Sequence, residues 1–323
     1  MIVSFAKRSR NPIRTFSRGT TETTKSTNAY DSRVFSVATS RAITLAAVAI
    51  GALTCARAVG IPAWFEPTEP LRIVGPIHYV GTRGLGVYLI TTPAGHILLN
   101  GAMPSSAKRI EESIRKLGYD PADIRLLLVS HAHIDHVGTL AYFKKRTGAR
   151  VAVLTSEKEL LESGGKTDYL YSNRPAFHFE PVHVDRELRD GDTVSLGGVT
   201  LRARWTPGHT RGTTTWTATV AEGGRGYEVV FLDGTGVNPG TRLVVDPSYR
   251  GIADDYRRTF GVLESLKPDV FLAYHAEFFD FDGKRARAAA EGAAAFVDPE
   301  GYRRGVAEAK AEFLRKLERE TAR

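Results

Sequence analysis

The 323-residue chain is poor in sulfur: it contains one cysteine, Cys55, and two methionines. A disulfide framework is excluded, and so is any zinc module that needs several thiolates. Long apolar runs are also missing. The longest, residues 42–56, is about 15 mostly apolar residues, short of the roughly 20 that a membrane-spanning helix needs. Positive charge is scarce where it would matter. The net charge is +8, but residues 1–58 hold nine Lys/Arg against two Asp/Glu, leaving 35 against 34 in residues 59–323. A sequence-independent grip on phosphates needs a basic face. The body has no surplus to build one, so nucleic acid is not an expected partner. With 42% apolar and 25% charged residues, the composition is that of a globular protein.

The first 58 residues read as a leader. Residues 1–41 are rich in Ser, Thr, Arg and Lys and show no apolar period. Arg33 and Arg41 precede the apolar run, and Ala56-Arg57-Ala58 follows it in a small-x-small pattern. Together these predict a signal peptide cleaved near Ala58 and export to the periplasm, with no stable membrane partner after cleavage. The long basic stretch leaves open an uncleaved anchor or a start downstream of Met1. Cys55, in Ala52-Leu53-Thr54-Cys55, leaves open lipidation. Cleavage would give a mature protein without cysteine.

No compositional break or internal repeat divides the remainder, and residues 59–323 are expected to form a single domain. Alternating apolar residues with Gly/Pro punctuation predict short antiparallel strands at 71–74, 78–80, 87–91 and 96–100. Ser105 or Ser106 is placed to cap a helix with apolar face Ile110, Ile114 and Leu117, ended by Gly118. Residues 124–129 form a nearly continuous apolar run, as in a strand buried on both faces. A helix at 139–147, a strand at 151–154 and a helix at 157–162 follow. Strands are then expected at 193–196, 199–205, 213–220 and 227–232, with a helix at 252–266 and a strand at 269–273. The C-terminal 40 residues read as largely helical, with Val306, Ala309, Phe313 and Leu317 on one face. Strands then helices, twice over, imply two sheets between helices, an α/β/β/α layering.

The strand at 124–129 runs directly into Ser130-His131-Ala132-His133-Ile134-Asp135-His136. Three imidazoles and a carboxylate at a strand end make a poor core, because each buried polar group needs a partner. A divalent metal resolves the problem, and His/Asp sets suit zinc. In an extended loop His131 and His133 point the same way, while Asp135 and His136 turn toward a second position. Six ligands suit two zinc ions, and two further histidines stand at strand ends. His209 is at the tip of Thr206-Pro207-Gly208-His209-Thr210, and His275 follows Ala273-Tyr274. Open sheets gather their sites at such ends. His78, His96, His178 and His183 are not expected as ligands.

HAHIDH at 131–136, TPGHT at 206–210 and His275 together resemble the metallo-β-lactamase superfamily, and within it subclass B3. Tyr79-Val80-Gly81-Thr82, Gly95-His96-Ile97-Leu98-Leu99, Asp190-Gly191-Asp192 and residues 209–217 support the resemblance. With Cys55 in the leader, no thiolate is available to the second ion. The resemblance implies His131, His133 and His209 on one zinc and Asp135, His136 and His275 on the other. It implies hydrolysis of a β-lactam amide by water activated as hydroxide, with Asp135 also accepting a hydrogen bond from the attacking water. Where many subclass members carry Ser after the strand at 227–232, the chain reads Asp233-Gly234-Thr235, and Thr235 is the candidate substitute for substrate binding. Phe177, in the aromatic stretch 169–179, is a second substrate contact if that stretch covers the pocket; otherwise the stretch fills core. Asp233 is either a turn residue or a ligand bridging both metals, and the second case would favour another hydrolase of the superfamily, acting on a thioester, lactone or phosphodiester. A non-catalytic zinc protein is disfavoured because structural zinc sites are usually closed and four-coordinate.

Overall fold

The structure, a computed structural model, describes residues 62–322. The signal, anchor and lipidation readings of the leader therefore lie outside the described residues. Twelve strands form two sheets among these residues. The first sheet runs in sequence order: β1 (Leu71–Val74), β2 (Ile77–Tyr79), β3 (Tyr88–Thr92), β4 (Gly95–Leu99), β5 (Ile124–Leu128), β6 (Arg150–Leu154) and β7 (Arg186–Leu188). Its first four strands are an antiparallel meander, and β4 to β7 pair in parallel. Parallel pairing needs crossovers. These are made by α1 (Ala107–Lys116) between β4 and β5, by α2 (Ile134–Val137) and α3 (Leu140–Thr147) between β5 and β6, and by α4 (Thr155–Glu162) after β6.

The second sheet has the order β12-β11-β10-β9-β8. Its strands are β8 (Thr193–Leu196), β9 (Val199–Trp205), β10 (Thr214–Glu222), β11 (Arg225–Leu232) and β12 (Val270–Ala273). β8 to β11 are antiparallel, and β12 joins β11 in parallel through α5 (Ile252–Ser265). Helices α6 (Phe281–Glu291) and α7 (Pro299–Thr321) complete the chain.

Successive strand residues point to opposite faces, and both faces of the first sheet are buried. Tyr88, Ile90, Ile97, Leu99, Leu126, Leu128, Ala152 and Leu154 enter a core shared with the second sheet. Leu89, Leu98, Leu127, Val151 and Val153 enter a separate core with Ile110, Ile114, Leu140 and Phe143 of the outer helices. On the far side, Tyr256, Phe260, Tyr302, Val306 and Phe313 pack α5 and α7 on the second sheet. The protein is thus the four-layer α/β/β/α sandwich expected from the sequence.

Two local expectations need correction. Residues 104–106 form a 3₁₀ turn that runs into α1, and Ser106 makes no side-chain capping bond. Pro104 already starts that turn and removes one unpaired N–H, which lessens the need for a cap. Strand β7 was not expected: it has three residues, two of them charged and exposed, so it carries no readable period.

Candidate metal centre

The segment 131–136 leaves the end of β5 and is gripped by the second sheet. Trp216 of β10 donates its indole N–H to the Val129 carbonyl at 2.9 Å, and the Thr214 amide donates to the Ser130 carbonyl at 2.7 Å. His209 follows β9 on a turn whose glycine is obligatory: Gly208 has φ +127°, and a Cβ there would lie 2.8 Å from the Tyr256 ring. His275 follows β12, where Gly86 donates to the Tyr274 carbonyl at 2.8 Å. The site therefore spans the seam between the sheets.

All six expected donors converge. His131, His133 and His209 bring one donor atom each to within 4.8 Å of one another, and Asp135, His136 and His275 do the same. The rings of His131 and His133 are 4.6 Å apart, those of His131 and His209 4.6 Å, and those of His131 and His136 3.9 Å. His136 Nε2 and His275 Nε2 stand 3.3 Å apart, with Asp135 Oδ2 at 3.4 and 3.5 Å from them.

The back of each ring in the first triad is occupied by an acceptor. His131 Nδ1 donates to Asp233 Oδ2 at 2.7 Å, His133 Nε2 to Asp168 Oδ2 at 3.1 Å, and His209 Nδ1 to the Gly236 carbonyl at 2.8 Å. Those bonds fix the tautomers and leave His131 Nε2, His133 Nδ1 and His209 Nε2 to face the centre with bare lone pairs. His131 Nε2 is fully buried with no hydrogen-bond partner. A buried orphan aimed at two other imidazole nitrogens is costly and fits a cation. Burial holds His131 well below its ordinary range and takes His209 down to about 4, so both are neutral near pH 7. Burial also opposes charge on His133, but the Asp168 bond outweighs it and raises that ring. Asp135 is held well down: burial opposes ionisation, and the neighbouring imidazoles, His136 first, overcome it.

Asp233 takes neither role expected of it alone. Its Oδ2 clasps His131 and its Oδ1 accepts from the Gly234 amide at 2.7 Å, so both oxygens are engaged behind the ligand ring. It lies within 4.8 Å of donors on His131 and His136, yet is turned to the back of His131 rather than between the two triads. Burial raises its pKa, but the His131 contact prevails and keeps it below the usual carboxylate range. The glycine found where Ser was expected also has a reason. Gly234 has φ +91°, and a Cβ would meet the Thr206 carbonyl at 2.5 Å. Thr235 stands half-buried on the same turn, one residue before the carbonyl that holds His209.

The aromatic stretch divides its work. Tyr169 donates to the Gly208 and His209 carbonyls, both at 3.1 Å, and so braces the His209 turn. Tyr171 stacks on Phe177 at 4.2 Å and meets His133 edge-on at 5.3 Å. Phe179 enters the core. Trp64 and Phe278 flank His275 at 5.3 and 5.6 Å. His78 and His96 pack on Tyr119, His178 bonds the Ser172 carbonyl and His183 pairs with Glu162, all away from the centre.

Sequence reasoning missed the residues behind the ligands. Asp168, Asn100, Ser130 and Glu157 belong to no motif on their own. Glu157, in the first turn of α4, accepts from the Ala132 amide (2.5 Å), Thr210 Oγ1 (2.7 Å) and the Gly212 amide (2.9 Å). It thereby ties the segment carrying His131 and His133 to the turn carrying His209. Burial pushes it up to about 7, although its three donors favour the ionised form. Its one sequence signal is a Glu in a strand-to-helix turn.

The metallo-β-lactamase superfamily model matches residues 86–222. The FEZ-1 metallo-β-lactamase from Legionella gormanii superposes with a TM-score of 0.78 at 40% identity, covering 79% of this chain and 98% of that one. The chain belongs to the metallo-β-lactamase superfamily. BJP-1, a subclass B3 metallo-β-lactamase of Bradyrhizobium japonicum, is similar at TM-score 0.76 and 40% identity, over 81% of this chain and 98% of that one. Curated relatives match over shorter stretches. A probable metallo-hydrolase of Burkholderia pseudomallei is 36% identical over 36% of this chain and 38% of its own. A hydroxyacylglutathione hydrolase of a Chelativorans species is 31% identical over 32% and 31%. The chain thus spans well under half the length of the curated relatives it matches. The His/Asp clusters of this chain fit the metal site of a superfamily hydrolase.

Proposed function

We propose that the protein is a subclass B3-like β-lactamase that binds two zinc ions and hydrolyses the β-lactam amide bond in the periplasm. The observation that carries this reading is the pair of adjacent nitrogen-and-oxygen donor triads, with no thiolate, in a chain similar to FEZ-1 and BJP-1 over nearly their whole length. The location rests on the leader's signal-like pattern. Zinc bound at the triads would polarise a carbonyl and lower the pKa of water.

The chain's own residues supply the rest. Asp233, Asp168 and the Gly236 carbonyl keep the first triad's rings in the ligating tautomer. Asp135 stays ionised beside His136 and His275, as a ligand whose carboxylate also accepts a hydrogen bond from the attacking water. Phe177, stacked on Tyr171 beside His133, offers the substrate an apolar wall that excludes solvent. Thr235 offers a hydroxyl for the substrate carboxylate from the turn that Gly234 keeps bare.

The test is steady-state hydrolysis of a penicillin and a carbapenem by the form lacking residues 1–58, with chelator and after zinc is restored. Chelator-sensitive turnover is expected, and its absence with both substrates overturns the reading. His209→Ala should abolish turnover while the fold persists; near-normal activity would remove His209 from the set. A second reading, thioester hydrolysis, is favoured by the similarity to a hydroxyacylglutathione hydrolase. Preferential turnover of a hydroxyacylglutathione would select it.

A further inference from the structure

The second triad differs from the first in what stands behind its rings. Asn100, buried at the end of β4, binds Ser130 and His136 together. The Ser130 amide donates to Asn100 Oδ1 at 2.8 Å. A backbone N–H can only donate, so this bond orients the Asn100 amide. Its Nδ2 then lies 2.8 Å from Ser130 Oγ and 3.0 Å from His136 Nδ1. An amide NH₂ can only donate, so His136 Nδ1 is the acceptor. Ser130 Oγ, already accepting from Asn100, has its own proton free toward the same nitrogen at 3.4 Å. A neutral imidazole that accepts at Nδ1 carries its proton on Nε2, the atom that faces His275 Nε2 and Asp135.

The three rings of the first triad show the opposite arrangement, with a carboxylate or carbonyl behind each and a bare nitrogen in front. We infer that Asn100 is a positioning residue that makes the two metal positions unequal: by donating to His136 Nδ1 it holds the proton on the ligating nitrogen, so the triad of Asp135, His136 and His275 binds zinc second and more weakly. To ligate through Nε2, the neutral ring must carry its one proton on Nδ1 instead, where that N–H would meet the Asn100 NH₂ unless the amide turns and breaks the Ser130 bond. This inference rests on the two-zinc reading above.

Asn100 has φ 64°, a left-handed conformation that Asn and Asp tolerate better than other side chains. Asn100→Asp therefore keeps the backbone while changing the sign of one interaction. Its second oxygen accepts from His136 Nδ1–H and frees Nε2 for the ion. Zinc binding to wild type and to Asn100→Asp, measured by equilibrium dialysis against a competing chelator, tests this. Wild type is expected to take up zinc in two classes. Asn100→Asp is expected to tighten the weaker class by about tenfold and leave the tighter class unchanged, which also reports an intact fold.

In parallel, ¹⁵N NMR of wild type carrying one equivalent of zinc should show His136 protonated on Nε2. That measurement stands even if the variant does not fold. A His136 proton on Nδ1 in wild type, or a weaker class that the variant leaves unchanged, overturns the inference while leaving the functional reading intact. Wild type that binds no zinc overturns both.

Discussion

Glu157 is a buried carboxylate that serves structure at some electrostatic cost, and the cost can be measured. Burial raises it from its ordinary value of 4.5 to about 7. The folded state therefore holds a proton on this group through a pH range in which the unfolded chain has already lost it. For such an acid, stability is fully present below the unfolded value and is lost as pH rises through the folded one. Between pH 5.5 and 8 the loss from this single group is about 2 kcal/mol. Glu157→Gln removes the titration. The Gln carbonyl still accepts from one backbone amide, while its NH₂ opposes the other, an unsatisfied buried donor worth about 1–3 kcal/mol. The variant should accordingly be less stable than wild type at pH 5.5, and the gap should close by about 2 kcal/mol at pH 8. Urea unfolding of chelator-treated wild type and Glu157→Gln at several pH values tests this without the charge of bound ions. Subtracting the two curves removes most of the contribution of His131 and His209, whose burial-lowered values push stability the other way. Parallel curves would refute the reasoning.

Further outcomes follow from the groups behind the ligands. Asp168→Asn replaces the acceptor of His133 Nε2–H with a donor and should weaken zinc at the first triad by about 10–100-fold, read by chelator competition; unchanged affinity would show that the bond does not set the ring. Asp233→Asn should weaken the same triad through His131 with two ions still bound, whereas a stoichiometry falling to one would identify Asp233 as a bridging ligand. Lys284 is buried, with its ammonium 3.0 Å from Asp298 Oδ2 and 3.4 Å from the Phe271 carbonyl. Removing one partner of a buried ion pair leaves the other charge uncompensated, which costs about 3–5 kcal/mol when that charge is itself buried. Lys284→Met leaves Asp298 behind and should therefore melt below the wild-type temperature, and a variant melting at or above it would show that Asp298 is satisfied without the ammonium.

What could be read from the residues alone follows their physics. The β5 strand carries a nearly continuous apolar run, and such a run fits a strand buried on both faces. The HAHIDH segment was legible because so many polar groups at one strand end have few other solutions. His209 and His275 were legible as strand-end residues. Asp168, Asn100 and Glu157 were not, because each is an ordinary residue until the fold brings a ring or amide 25 to 36 positions away against it. The bare Gly234 turn was visible as a departure, and only the Thr206 carbonyl beside it explains why.

His136 and His275 lie 139 positions apart and belong to different sheets, yet their nitrogens nearly touch. An ion held by these residues would act as a reversible rivet through the laminate. At a free concentration one hundred times its dissociation constant, it adds about 2.7 kcal/mol to the work of pulling the layers open. Metal starvation would then first loosen the joint, exposing the seam to proteases, so that scarcity of the ion sets how long the enzyme survives as well as how fast it works.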